Sequence, residues 1–271
     1  MTGRVNPLVA AILGVVEGVT EYLPVSSTGH LILASRWLGL EGEGVDAFDV
    51  VIQLGAILAV LVHFRALLWD KAKGLLVGRR DSVLLLTALV LGFIPAAVVG
   101  VLLRTKIKSL LFGEWPVAFA LVVGGIVMVI VEVVRKKRGA VGLSGLEHVT
   151  PKRAFYIGLG QCVSLWPGSS RSMCTIVAGQ LSGLSTATAA EFSFLLGLPT
   201  LGAATLYEMY KSREALSGIG TGNVAIGFGV SFLVAWAVIA AFVAYLKRFG
   251  LLPFGLYRIA LGAIVFLVAL R

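Results

Sequence analysis

Residues 10–28 read AAILGVVEGVTEYLPVSST, and residues 154–171 read AFYIGLGQCVSLWPGSSR. In each, a short apolar run meets a carboxylate or amide, then a proline, then a pair of hydroxyls. One gap before the proline aligns Gly14 with Gly158, Glu17 with Gln161, and Pro24 with Pro167; Ser26 and Ser27 then fall on Ser169 and Ser170. Downstream, FDVVIQL (48–54) parallels FSFLLGL (192–198). The pattern restarts, which predicts a duplicated fold with halves at 1–135 and 136–271.

The surroundings are oily. Of 271 residues, 58% are hydrophobic and 14% charged, against about 25% charged in an ordinary soluble domain. Mean hydropathy is +0.96. The apolar runs are continuous rather than alternating, so the chain reads as a helical membrane protein and not a barrel. Leu8–Val16 is short and is followed by Glu17, so no cleavable leader is expected. The net charge of +9 sits mostly between apolar runs. That is a topology signal with lipid headgroups as partners, and no nucleic-acid partner is expected. Cys162 and Cys174 have no metal or redox spacing and read as packing thiols.

Pro7 suits the first turn of a helix. Segments 8–22 and 27–38 each fall short of the ~20 residues a full crossing needs. Joined by a Pro/Ser turn, they predict a re-entrant hairpin over about 8–39. The same reading gives a second hairpin at about 154–184, with its second helix at 176–184. Three spans follow each hairpin: 48–64, 83–103 and 116–134, then 186–206, 224–246 and 253–270. Residues 41–46 and 65–80 read as polar loops. The predicted fold class is therefore an all-α polytopic membrane protein, an inverted-topology repeat whose halves each hold a re-entrant hairpin plus three transmembrane helices. An odd number of crossings per half forces the inversion, an architecture known from transporters.

Loop charge sets the expected orientation. One side carries Arg65, Lys71, Lys73, Arg79, Arg80, Arg135–Arg138, Lys152, Arg153, Lys247 and Arg248. The other carries Arg4, Arg36, Arg104, Lys106, Lys108, Lys211, Arg213 and Arg271. The richer side is expected in the cytoplasm, with both termini outside.

The stretch EGVTEYLPVSSTGHLIL (17–33) concentrates polar chemistry at membrane depth, where ionisable groups are costly and by default functional. Glu17 and Glu21, at i and i+4, share a helix face. Pro24 stops that helix. Ser26, Ser27 and Thr28 are cap candidates for the next one. WPGSSRSMCT (166–175) supplies Ser169, Ser170, Arg171 and Ser172 at another helix start. Two helix N-termini with hydroxyls and a guanidinium form a phosphate cradle, whereas the plainer reading is helix capping alone. Arg171 has a structural alternative as counter-ion to Glu17 or Glu21. The two carboxylates beside a phosphate site suit Mg²⁺ or Ca²⁺, or an acid and a base. His30 has three readings: a satisfied buried histidine, a general base for serine, or a nucleophile. Asp49 and Gln53 line the same cavity or bond neighbouring helices. His63, His148 and Glu191 are weaker candidates.

EGVTEYLPVSSTGH and PGSSRSMCTI closely resemble EGxTExLPxSSTGH and PGxSRSxxTI, the signature motifs of the bacterial undecaprenyl-diphosphate phosphatase family, also called the bacitracin-resistance protein family. The resemblance extends over essentially the whole chain, including IQLGAILAV (52–60). STGH faintly echoes the SGH of type 2 phosphatidic-acid phosphatases, whose other motifs are absent. The resemblance implies hydrolysis of undecaprenyl diphosphate to undecaprenyl phosphate and phosphate, recycling the lipid carrier for peptidoglycan. It implies dependence on Mg²⁺ or Ca²⁺, with a site opening to the outer face of the bacterial inner membrane. Its important positions fall here on Glu17, Glu21, Ser26, Ser27, Thr28 and His30, and on Ser170, Arg171, Ser172 and Thr175. Met173 stands where many members have glycine, and is expected to narrow the approach to phosphate. The rival function is a lipid flippase or transporter using the same repeat cavity. A homodimer is left open.

Overall fold

Pro7 starts the first helix, and Asn6 caps it by accepting the Val9 N–H at 3.0 Å. From there the computed structural model is built of helices: α1 (Pro7–Thr20), α2 (Ser27–Trp37), α3 (Glu43–His63), α4 (Arg65–Leu76), α5 (Arg80–Leu111), α6 (Glu114–Lys137), α7 (Pro151–Cys162), α8 (Arg171–Leu181), α9 (Thr186–Lys211), α10 (Thr221–Phe249) and α11 (Leu252–Ala269). Residues 5–40, 42–111, 113–211, 214 and 218–269 are described, and among them no strand forms beyond one bridge between Leu143 and Leu184. Arg4, Glu41, Arg213, Leu270 and Arg271, used in the loop-charge and span-boundary expectations, lie outside the described residues.

Among the described residues, five helices are long and apolar enough to cross a membrane: α3, α5, α6, α9 and α10. The chain is a multi-pass membrane protein. The sixth expected span, α11, has 18 residues and a shorter apolar stretch, Leu252–Leu267. It begins just after Gly250, whose φ of +68° ends α10. The helices flanking the two Pro/Ser turns are short. At 1.5 Å per residue, α1, α2, α7 and α8 are about 16–21 Å long, well under the ~30 Å hydrocarbon layer.

Several boundaries differ from expectation: α3 begins at Glu43, inside the polar loop expected at 41–46, and α9 runs on to Lys211. Residues 65–76 form α4 rather than a loop, because Ala, Leu and Lys are strong helix formers. Charge pairs then tie the turn after α4 to α5: Arg79 bonds Asp70 and Asp81. The Arg79 hydrogen bond holds the Asp70 carboxyl below its usual range. The span expected at 83–103 continues as helix through Leu111, passing Pro95. The helix expected at 176–184 begins five residues earlier, at Arg171.

Packing joins helices that lie far apart in the chain. α10 lies along α1 and α3, α5 lies against α7, and α11 runs along α6. Small residues let α1 and α10 approach closely, with Gly14 and Gly18 facing Gly227 and Ser231; this is how membrane helices gain contact without a hydrophobic driving force. Beneath the turns, Tyr22, Phe194, Phe242 and Phe254 make successive ring contacts at centroid distances of 5.1, 6.2 and 5.2 Å. This aromatic floor supports the polar residues described next.

Candidate active site

The two Pro/Ser turns share an uncommon backbone conformation. Ser26 and Ser170, with φ of +74° and +70°, are the only non-glycine residues at positive φ among the described residues. Such a position costs a non-glycine residue on the order of 1–3 kcal/mol. Each serine caps the following helix: Ser26 Oγ accepts the Gly29 N–H at 3.3 Å, and Ser170 Oγ accepts the Met173 N–H at 3.2 Å. The caps therefore pair Ser26 with Ser170, one residue away from the gapped alignment, which set Ser26 against Ser169. Ser169 closes its turn instead, donating to the carbonyls of Val163 and Trp166.

Between the turns lies a buried polar chain. Ser27 Oγ donates to Glu21 Oε2 at 2.6 Å, and Arg171 Nη2 donates to Glu21 Oε1 at 2.9 Å. Arg171 Nη1 continues to the Ser193 carbonyl at 2.8 Å and to Ser193 Oγ at 3.2 Å. Its guanidinium lies 5.4 Å from the centroid of the Tyr22 ring, whose hydroxyl donates to the Ala56 carbonyl at 3.0 Å. Thr175 Oγ1 meets Ser193 Oγ at 2.6 Å and donates to the Arg171 carbonyl at 2.8 Å. Ser172 Oγ donates to the Leu23 carbonyl at 2.8 Å, binding the second turn to the first. The Glu21 and Arg171 side chains are 4% and 8% exposed. Removing either partner would strand a charge in a low-dielectric site.

Two buried atoms stand without partners at this cluster: Glu17 Oε1 and Arg171 Nε. Buried polar groups are normally satisfied, so these two are where a ligand's oxygen or a cation would be taken up. The donor chemistry fits an oxygen-seeking divalent cation. No group of three or more His, Cys, Asp or Glu residues gathers among the described residues. Glu17 and Glu21 would thus leave most of the coordination shell to water and phosphate oxygens, which is the habit of Mg²⁺.

His30 does not meet Ser27. Its Nδ1 lies 2.7 Å from the Ser26 carbonyl and its Nε2 lies 2.7 Å from the Tyr257 hydroxyl. A carbonyl only accepts, so Nδ1 carries the proton. In the neutral ring Nε2 is then the acceptor, and Tyr257 donates to it. The general-base pairing of His30 with Ser27 is absent from this geometry, where Glu21 is the group in contact with Ser27. Thr28 is exposed. Met173 does not narrow an open approach, because its side chain is buried at 5% exposure and packs at Gly124. Gln161 binds the Gly92 carbonyl and Thr200, and Gln53 binds Thr205. Asp49 Oδ1 is buried without a partner. His63 rests on Phe64, and His148 ends a 3₁₀ turn (Leu146–His148), 3.9 Å from Glu147. Glu191 is half-buried in the first turns of α9.

Sequence reasoning missed three residues. Ser193 aligns with Asp49 in the FDVVIQL/FSFLLGL pairing, and that was its signal. Arg258 is fully buried in α11 and donates to Pro24, Ala120 and Gly168 carbonyls at 3.3, 3.1 and 2.9 Å. It holds both turns with one guanidinium. An arginine inside the apolar run PFGLYRIALG was the available sign. Tyr257, beside it, carried no sign.

Residues 10–264 match the family model described as bacitracin resistance protein BacA. This chain belongs to that family. Among curated relatives, the undecaprenyl-diphosphatase of Sorangium cellulosum (strain So ce56) is 57% identical over 258 residues, covering 94% of this chain and 84% of the relative. The undecaprenyl-diphosphatase of Sphingopyxis alaskensis (strain DSM 13593 / LMG 18877 / RB2256) is 46% identical over 251 residues, covering 93% of each chain. Family membership spans both turns and the final helix, so the Glu21–Ser27–Arg171 chain and the Arg258 clamp lie within the matched region.

Proposed function

We propose that this chain is an integral membrane undecaprenyl-diphosphate phosphatase, releasing inorganic phosphate and returning undecaprenyl phosphate to service as a cell-wall lipid carrier. The relatives' activity supports the reaction. The observation in the fold that carries the reading is the contact of Ser27 with Glu21, itself held by Arg171. A nucleophile touching a base that a third group orients is the recurring arrangement of covalent hydrolases.

The mechanism follows from those contacts. The Ser27 hydroxyl passes its proton to Glu21 as its oxygen attacks the terminal phosphorus. The Oγ–P bond forms while the bond from phosphorus to the bridging oxygen breaks, and prenyl phosphate leaves. Water then attacks the phosphoserine: its oxygen bonds phosphorus as the Oγ–P bond breaks, Glu21 returns its proton to Ser27 Oγ, and phosphate leaves. Arg171 orients Glu21, and its unpartnered Nε is free to bind a phosphate oxygen. The helix starts at Ser26 and Ser170 direct backbone N–H groups and partial positive charge at the same region. A divalent cation held by Glu17 and Glu21 would neutralise the diphosphate and stabilise charge developing on the transferred phosphoryl group. His30, its Nε2 engaged by Tyr257, is assigned a positioning role.

The halves 1–135 and 136–271 are read as inverted repeats, with re-entrant hairpins at α1–α2 and α7–α8. Three facts support this. A constant offset of 144 residues pairs the buried positions Ala10, Leu13, Gly14 and Glu17 with Ala154, Ile157, Gly158 and Gln161. The same offset pairs the two positive-φ caps. α1 packs on a long helix of the second half, while α7 packs on one of the first. The positive-inside rule puts both termini on the outer face of the inner membrane, the face to which the family resemblance implies the site opens.

The test is phosphate release from a prenyl diphosphate by purified protein in detergent, followed by trapping of the phospho-enzyme. An acid-stable, base-labile adduct on Ser27 supports the mechanism. An acid-labile adduct on His30 would overturn the nucleophile assignment, and no phosphate release would overturn the function.

A further inference from the structure

Away from the candidate site, a cavity of about 720 Å³ opens between the start of α7 and the end of α8, within the range typical of small-molecule pockets. Its lining includes Lys152, Arg153, Tyr156, Gly160, Ala178 and Leu181, and no acidic residue. Arg153 is locked in place: Nε donates to the Ser182 carbonyl at 3.0 Å and Nη1 to the His148 carbonyl at 2.8 Å. Lys152 is exposed, with no hydrogen bond or ion pair among the described residues. The negative end of α8 is already compensated, since Arg135 donates to the Gln180 and Leu184 carbonyls. The local field is therefore set by Lys152, Arg153 and the positive end of α7.

Apart from Thr150 and Ser182, the rest of the lining is apolar. Tyr156 and Leu181 are 51% and 69% exposed, and Phe155, Leu159 and Val163 extend the exposed apolar surface of α7. At the floor, α7 and α8 approach so closely at Gly160 that a Cβ there would sit 2.6 Å from the Ala178 methyl carbon. The result is a furrow with a cationic mouth at a helix end and an apolar floor running between two helices. We propose that this cavity binds an anionic membrane phospholipid, its phosphodiester at Lys152 and Arg153 and its chain against Tyr156, Leu181 and the Gly160–Ala178 contact. Charge complementarity selects the head, and the apolar walls select a lipid over a soluble anion. Roughly 18 Å of α7 (12 residues at 1.5 Å each) separates this mouth from the catalytic turn. The inference does not rest on the phosphatase reading.

The experiment is native mass spectrometry of the full chain released from detergent. The probes are phosphatidylglycerol and phosphatidylcholine of matched chains, with inorganic phosphate and prenyl phosphate as competitors. Phosphatidylglycerol should be retained over phosphatidylcholine. Lys152→Gln should weaken retention about fivefold, the value for one basic residue near a membrane surface. Tyr156→Ala should weaken it too, while Lys106→Gln, the same charge change elsewhere, should not. Prenyl diphosphate hydrolysis in detergent should be unchanged in all three variants. Equal retention of both phospholipids, indifference to Lys152→Gln or Tyr156→Ala, or displacement by millimolar inorganic phosphate would each overturn the proposal. Displacement by prenyl phosphate but not by excess phosphatidylglycerol would assign the cavity to the reaction product and overturn it as well.

Discussion

Glu21→Gln is the perturbation that divides the candidate mechanisms most cleanly. The carboxylate accepts from Ser27 at 2.6 Å on one oxygen and from Arg171 at 2.9 Å on the other. Glutamine keeps the shape but has one acceptor oxygen. If that oxygen faces Arg171, the amide N–H₂ faces Ser27 and can only donate, so the hydroxyl loses its proton acceptor. If it faces Ser27, the N–H₂ points at a guanidinium and two donors collide. A positioned general base contributes about 10²–10⁴-fold, so phosphate release from a prenyl diphosphate should fall by that factor. Replacing a hydrogen bond to a charged group costs about 1.5–3 kcal/mol, so the thermal midpoint in detergent should fall without loss of the folded state. The decisive measurement is the double variant. If Glu21 acts through Ser27, Glu21→Gln should cost almost nothing further in a Ser27→Ala background. Loss of less than threefold in Glu21→Gln, alongside a hundredfold loss in His30→Gln, would refute the reasoning and return the base role to His30.

Three further outcomes are expected. Gly197→Ala would place a Cβ 3.1 Å from three atoms of the Arg171 guanidinium; it should lower activity at least tenfold, while Gly202→Ala, which meets nothing within 4 Å, should leave it intact. Tyr257→Phe removes the donor to His30 Nε2, so ¹⁵N spectra of histidine-labelled protein should shift one of three imidazoles, with activity falling less than tenfold if His30 only positions. At Ser26, glycine should be nearly neutral in thermal melts, since relief of positive φ offsets a lost cap. Alanine there keeps the strain and loses about 1 kcal/mol of capping; equal melting points for the two variants would contradict this.

The polar half of the site was legible because a membrane makes it so. Two carboxylates four residues apart, stopped by a proline, have few bland explanations in an apolar chain, and both proved buried at the cluster. The likeness of the two Pro/Ser stretches was legible through Gly14, Glu17 and the prolines, but which serines correspond was not. Hydroxyl pairs look alike, and only the positive φ of Ser26 and Ser170 distinguishes a cap from the residue beside it. Ser27 and His30, three residues apart, share one side of α2, yet the partners of His30 are the Ser26 carbonyl and a tyrosine 227 positions away. Local periodicity carries no information about such distant partners. Ser193 and Arg258 were hidden for the same reason, and α4 because charge in a short segment reads as a loop until its pairs are seen.

The reach of Arg258 also has a consequence in time. The Pro24 carbonyl it holds lies 234 residues earlier in the chain. At ~5–20 residues per second of synthesis, the first turn enters the membrane some ten to fifty seconds before the guanidinium that fastens it exists. For the first part of that interval Arg171 does not exist either, and until Arg258 arrives the turn that carries Glu21 is unfastened. The nascent half-protein therefore carries its reactive residues unassembled, and hydrolytic competence arrives with the last helix rather than accumulating along the chain.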